Sequence, residues 1–487
     1  MATRFAVPMA CVLAGCATSP QAPKKIQKTP GTVDCVTLIE SVDKSVAGVG
    51  RRWPSAHPIP GYPGLRSDRF LAAIGESAVE PATAGVWLDA LRDLDRHARQ
   101  LELPRLPASD RARLKPPGAS LASAVESCAE RLKAALATDQ DSLSHLVEAA
   151  RVPDDYSTVA RTLGLYPLTM IPVAEGVRRL HNRTRDRFAH PSGDPGVGAR
   201  WVRYGLSEPP PDAQLAVSNR FDVLGRPSLS KAHLQALFTQ HAPIWEIADG
   251  GDYDRPGEPF WQGPAVPGLR TGDVVIYTYP SWALWHQQVL LQLNYVIWFS
   301  ERPSAGPLDI LAGPLDGLLW RVTLLPDGRP LVYDSIHPCG CYHMLFPKPG
   351  LQLTASALEQ PEPPLIAAPA PSWQPSTRVV LKIATRTHYL SGVHRDSAGW
   401  DQSYRLQAYD VLDQTPDGDG LPVGLFAPDG LVPGTVRPER FVLWPMGIAS
   451  AGAMRARGRQ PVAFIGRRHF DDPFLFQNMF RLPSADP

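Results

Sequence analysis

Residues 337–343 read His-Pro-Cys-Gly-Cys-Tyr-His, two thiols and two imidazoles within seven positions. Thiolate sulfur and imidazole nitrogen together suit zinc or copper. Neighbouring thiols can instead close a disulfide or act as a redox-active or nucleophilic pair. An extended segment, rising about 3.3 Å per residue, would hold His337 and His343 roughly 20 Å apart, too far for one ion. Pro338 and Gly340 favour a turn, which could gather three of the four donors. Alternate Cα atoms of a strand lie about 6.5 Å apart, at the edge of disulfide geometry, and Gly340 lets the backbone close that gap. His337, Cys339, Cys341 and His343 are therefore candidate metal ligands, with a Cys339–Cys341 disulfide or plain packing as the competing readings. Asp334, just upstream, could orient a ligating histidine.

Further polar candidates lie near the ends of apolar segments. His286, inside one such stretch, and Glu301, just after it, could serve as ligand and base, with a core histidine and a surface ion pair as the bland alternative. His388 and His394 follow the strand-like segment RVVLKIAT. Arg467, Arg468, His469, Asp471 and Asp472 follow PVAFIG, a set that could grip an anion or form a mutual ion-pair network. Glu301, His388 and His469 are the catalytic candidates, and three histidine-bearing segments, 337–343, 388–394 and 469, could meet in one cleft. The chain has no H-E-x-x-H, G-x-S-x-G or phosphate-binding loop, which lowers the case for helical zinc proteases, serine hydrolases and nucleotide enzymes.

The compartment sets the cysteine chemistry. The chain opens MATRFAVPMACVLAGCATS: one arginine, an apolar run too short to span a bilayer, then small residues. Leu13-Ala14-Gly15-Cys16 resembles the lipobox of bacterial lipoproteins. The resemblance covers only these first residues. It implies that residues 1–15 are a removed signal peptide, and that Cys16 becomes an acylated first residue anchoring the protein in a membrane. The absence of aspartate at Ala17 implies the outer membrane, on its periplasmic face. Each buried CH₂ adds about 0.8 kcal/mol, so two or more acyl chains anchor stably. Residues 16–33, rich in Pro, Lys and Gln, read as the lipidated terminus and a flexible tether. An oxidising compartment makes pairing the default for Cys35, Cys128, Cys339 and Cys341. Cys35 with Cys128 is the economical bond, since both fall in the helical part. A buried free thiol at Cys128 is the alternative.

The elements that must position these residues follow from pattern. Residues 34–190 read as a mainly helical domain. Trp87, Leu91, Leu94, Ala98 and Leu101 recur at helical spacing, as do Leu121, Val125, Cys128, Leu132 and Leu136. Helices are also expected at YSTVARTLG, started by Asp154–Asp155, and at IPVAEGVRRL. Residues 191–230 read as a connection within a mixed α/β domain, 191–487. There TGDVVIYTY, RVVLKIAT and PVAFIG read as strands, and LLWRVTLL-PDGR-PLVYDSI as a hairpin around an Asp-Gly turn. SWALWHQQVLLQLNYVIWF reads as an apolar helix, and 360–376 as a Pro-rich loop. The class is α+β and loop-rich, in keeping with 52 prolines among 487 residues. A net charge of +1, mixed along the chain, gives no basic face for nucleic acid. Two functions stand: a binding or structural envelope lipoprotein with an unknown envelope partner or ligand, or a zinc- or copper-dependent envelope enzyme, conceivably a hydrolase, built on residues 337–343.

Overall fold

The computed structural model describes residues 32–482 apart from 79, 81, 192 and 419. The signal segment 1–15, Cys16 and nearly all of the tether lie outside the described residues. The chain is α+β: a helical N-terminal part followed by a strand-rich part.

The helical part comprises α1 (Thr32–Gly48), α2 (Arg69–Ala78), α3 (Ala84–Glu102), α4 (Ala108–Leu114), α5 (Leu121–Leu136) and α6 (Gln140–Ala149). The helical-period residues Trp87, Leu91, Cys128, Leu132 and Leu136 are all buried in its core, as the spacing required. Cys35 of α1 and Cys128 of α5 form a disulfide with Cα atoms 4.9 Å apart. Ser120 and Asp139 cap α5 and α6 by accepting the Ser123 and Ser142 amides. A charged cluster lies within this part, where Arg66 meets Asp95 at 3.1 Å and Glu102 at 2.7 Å. All three are buried, so the pairing offsets their desolvation.

Two further helices, α7 (Thr158–Leu163) and α8 (Tyr166–Ala189), pack against residues 440–468 of the strand-rich part. Ser157, rather than Asp154 or Asp155, caps α7 by accepting the Ala160 amide. The segment is stitched down by Ser157 N–H to Gly447 O at 2.7 Å, Arg161 Nε to Met446 O at 2.8 Å and Tyr156 Oη to Ala463 O at 2.8 Å. The short helix expected at IPVAEGVRRL is the middle of the 24-residue α8.

The strand-rich part centres on one ten-stranded sheet. In chain order its strands are β1 (Arg200–Leu206), β2 (Ile244–Asp249), β3 (Val274–Trp285), β4 (Gln288–Arg302), β5 (Gly313–Leu324), β6 (Pro330–Ile336), β7 (Met344–Pro347), β8 (Arg378–Ile383), β9 (Leu390–Asp396) and β10 (Gln402–Ala408). Their spatial order is β7-β6-β5-β4-β3-β10-β1-β2-β8-β9. The run from β3 to β7 is an antiparallel meander, whereas β10 is parallel to both β3 and β1, and β8 to β2. The hairpin around Asp327-Gly328 is β5–β6, as expected. A helix, α9 (Lys231–His241), places Leu237 and Phe238 on one sheet face. The loops after β10 cover the other.

Three expectations are corrected. The apolar stretch from Ser281 to Phe299 is not a helix: it is the end of β3, a two-residue turn and most of β4. His286 and Gln287 supply that turn with φ of 45° and 70°, the twist that suits a tight hairpin but without its usual Asn-Gly signal. Every residue from Val289 to Phe299 is buried, so β4 has core on both faces and shows no alternation. PVAFIG forms no strand. Pro461 lacks an N–H, and the Phe464 and Ile465 amides are spent on the Glu362 carboxylate at 2.8 and 2.9 Å. The connection 191–230 contains β1, an interior strand of the sheet.

Candidate functional site

The 337–343 segment joins β6 to β7 as a tight turn. Gly340 N–H donates to His337 O at 2.8 Å, and His337 N–H to Cys341 O at 3.0 Å. Gly340 has φ of 92°, and a Cβ there would stand 2.3 Å from Pro461 O, so the position demands glycine. The turn aims its two histidines at different aspartates.

His337 Nδ1 lies 3.1 Å from Asp316 Oδ1, and His388 Nδ1 lies 2.9 Å from Asp316 Oδ2. His388 Nε2 faces Asp254 Oδ1 at 3.3 Å, and its ring stacks on Phe299 with centroids 4.0 Å apart. Asp254 is held by Thr385 Oγ1 and by the Arg386 and Gly250 amides. Arg437 approaches Asp316 at 3.6 Å. The result is a buried chain Asp254–His388–Asp316–His337. Burial pushes the Asp316 carboxyl up, but His337, Arg437 and the imidazole hydrogen bonds outweigh it and hold it well below the usual carboxylate range. Burial also opposes charge on His388, yet bonds to Asp254 and Asp316 raise it. Burial lowers His337 despite Asp316. Its Nε2 is buried without a hydrogen-bond partner among the described residues.

His343 belongs to a second pair. Its Nε2 is 3.0 Å from Asp334 Oδ2, and Asp334 also takes a two-pronged contact from Arg321 at 2.9 and 2.6 Å. The β5–β6 register sets Arg321 opposite Asp334. Asp334 thus orients a histidine, as its position suggested. Among the described residues, however, no three His, Cys, Asp or Glu side chains are arranged to hold a metal ion. His337, Cys339, Cys341 and His343 are not gathered as one clamp, because separate strands carry the aspartates that claim the two rings. The thiols of Cys339 and Cys341 are free. They are adjacent, with the Cys341 amide 3.4 Å from Cys339 Sγ. A hydrogen bond with Cys339, then burial, lifts the Cys341 thiol well above its ordinary value, away from the thiolate a nucleophile needs.

Cys339, Cys341 and His343 line a cavity of about 270 Å³. Val177, Leu180 and His181 of α8 form one wall, and residues 461–464, Leu365 and Ile448 form others. Burial lowers His181 to about 4, so it is neutral at pH 7. Arg468 also lines the cavity. It is 8 % exposed and donates to Gln360 Oε1 at 2.5 Å and Glu362 O at 2.6 Å, with no salt bridge among the described residues. The Glu362 carboxyl is pushed up by burial, against the Ile465 amide, the nearby Arg468 charge and the Phe464 amide.

Other candidates disperse. Glu301 is exposed at one end of β4, and His286 sits at the other. His394 is exposed on β9. His469 turns to Asp154 and Asp155 at 3.2 and 3.8 Å and packs edge-on against Tyr156. The 467–472 cluster pairs outward with other segments: Arg467 with Asp154, and Asp471 with Arg69. Of the three histidine segments, two meet, with His337 and His388 sharing Asp316, while His469 stays outside. Sequence reasoning missed Asp316, Asp254, His181 and Glu362. The legible signal for Asp316 was an acid near the start of the mostly apolar strand GPLDGLLWRVTL, in which Arg321 is the one other charged residue. Compared with protein-family models, curated proteins and solved structures, the chain matches none.

Proposed function

We propose that this protein is a lipid-anchored envelope lipoprotein that holds a small amphipathic anion in the cavity beside the 337–343 turn. The observation that carries the reading is Arg468, a buried cation facing an apolar cavity and held in no salt bridge among the described residues, because the nearby Glu362 carboxyl is turned to the Phe464 and Ile465 amides. A buried charge is tolerated when a partner arrives, so an anionic head group is the complementary ligand. Arg183 and Arg187 of α8 add positive charge to the same lining, while Leu180, Leu365 and Phe464 suit an alkyl chain. The Asp254–His388–Asp316–His337 chain serves as the rigid floor under the turn. The outer surface of α7 and α8 supports a membrane-held protein: Leu163, Leu165, Leu168 and Ile171 are exposed, followed along α8 by Arg178 and Arg179. The metal-enzyme reading has no donor set among the described residues to build on.

Isothermal titration of the full chain with decanoate and decyl phosphate tests this, with decyltrimethylammonium as the control. Saturable binding of the anions, reduced tenfold or more in Arg468→Gln and several-fold in the more exposed Arg187→Gln, is expected. No binding, or equal binding of the cation, would refute the anion assignment. The anchor is tested separately, by the mass of the native N-terminal peptide: an acylated Cys16 is expected.

A further inference from the structure

A second cavity, of about 240 Å³, opens where the helical part meets the β3–β4 hairpin. It shares no lining residue with the first, and its chemistry is different. Aromatic rings contribute much of its wall: Trp53, Phe70, Tyr279, Trp282 and Phe470. Trp282 is partly buried and belongs to the packing of both the sheet core and the helical core, so it sits on the seam.

Three arginines line the cavity as well, and each is already paired. Arg69 meets Asp155 at 2.8 Å and Asp471 at 3.0 Å, Arg321 meets Asp334 at 2.6 Å, and Arg457 meets Asp410 at 2.6 Å. A charged ligand would find no uncompensated partner here. What remains unsatisfied is neutral. Asn294 lines the cavity and is fully buried. Its Nδ2 donates to Tyr279 O at 3.1 Å and to Ser281 Oγ at 2.9 Å, but its Oδ1 has no partner among the described residues. Ser55 Oγ lines the same cavity and is likewise buried and unpartnered. Ser281 Oγ in turn donates to Gln292 Oε1 at 2.9 Å, and Gln292 Nε2 to Thr323 Oγ1 at 3.1 Å, which fixes the amides in place. Buried polar atoms in folded proteins are rarely left without a partner, and leaving one costs roughly 1–3 kcal/mol.

We propose that this seam cavity binds one neutral sugar ring, free or at the end of a glycan chain. Phe470, Trp53 and Tyr279 already carry arginine guanidinium groups over their rings, so Phe70 and Trp282 would take the apolar C–H surfaces of the sugar, while Asn294 Oδ1 and Ser55 Oγ would take its hydroxyls. Asp68 and Asp471 also line the cavity, but Asp68 accepts the Leu71 amide at 2.8 Å and Asp471 is paired with Arg69, so neither carboxyl is left to select a charged ligand. This site is independent of the anion cavity, and either can fail without the other.

The test is isothermal titration of the full chain with glucose, galactose and N-acetylglucosamine, with glucuronate and glucosamine as charged analogues. Saturable binding of at least one neutral sugar is expected, with the charged analogues at least tenfold weaker. Trp282→Leu and Asn294→Leu should each weaken that binding tenfold or more while retaining a cooperative melt. A merely structural role would lower the melting temperature and leave sugar affinity unchanged, and that result would overturn the proposal. So would saturable binding of none of the neutral sugars, or a preference for a charged analogue. Methyl glycosides separate the two sources: retained binding indicates a chain end, because the anomeric oxygen must then leave the cavity, and lost binding indicates the free sugar.

Discussion

Asp316→Asn probes the buried chain beneath the 337–343 turn. The carboxylate is fully buried and serves three partners: His337 at 3.1 Å, His388 at 2.9 Å and Arg437 at 3.6 Å. Asparagine keeps the shape, but its NH₂ can only face one of the two imidazoles, and Arg437 loses its counter-charge. Removing one partner of a buried ionic group costs about 3–5 kcal/mol. For cooperative unfolding of the roughly 450 residues described, at about 2.1 cal/mol/K per residue, that loss lowers Tm by about 3–5 °C. Differential scanning calorimetry of wild type, Asp316→Asn and Asp327→Asn measures it. Asp327 pairs with Arg329 in the exposed β5–β6 turn, worth about 0–1 kcal/mol, so its loss should shift Tm by no more than about 1 °C. An Asp316→Asn shift no larger than that of Asp327→Asn would refute the claim that this chain stabilises the site.

Two other outcomes are expected. The Cys35–Cys128 bond spans a separation of 93 residues, so Cys35→Ser or reduction should cost about 4–5 kcal/mol by loop entropy. Among positions 35, 128, 339 and 341, thiol titration in denaturant should find two thiols before reduction and four after, and four before reduction would contradict the pairing. Stability should also fall as pH drops below about 6.5. Burial lowers His241 to about 3, so between those values the unfolded chain binds a proton that the native protein refuses. That contributes a slope of about 1.4 kcal/mol per pH unit. His57 and His181, both lowered to about 4 mainly by burial, act in the same direction with less force because they are partly exposed. His388 has the opposite sign: its folded value is raised, so its contribution is present below pH 6.5 and is lost as pH rises through that value. Urea unfolding across pH 4–8 should show a flatter acid limb for His241→Phe, and an unchanged limb would count against the linkage.

The amphipathic helices were legible because each carries a local period: Trp87, Leu91 and Ala98 repeat on one face, and all are buried. The β5–β6 hairpin was legible from its Asp-Gly turn and the β-forming residues around it. The β3–β4 hairpin was not. Residues buried on both faces have no period to read, and His286-Gln287 carries no turn signature despite its positive φ values. PVAFIG resembled a strand in composition, but Glu362, about one hundred residues upstream, takes the amides a ladder would need. The 337–343 turn was foreseen as a turn from Pro338 and Gly340. Asp334 was foreseen as a histidine partner from its place just upstream, whereas Asp316 was not, since it lies on the preceding strand and meets His337 and His388 only through the fold.

Local chemistry alone determined the α+β class, the helical beginning and the glycine-dependent turn, because propensity and spacing act over a few residues. Which histidine met which aspartate, and where a buried cation was left without a salt bridge among the described residues, was decided only by the tertiary structure. Those pairings join residues 9 to 72 positions apart, and their energies exist only once packing has removed water from both partners.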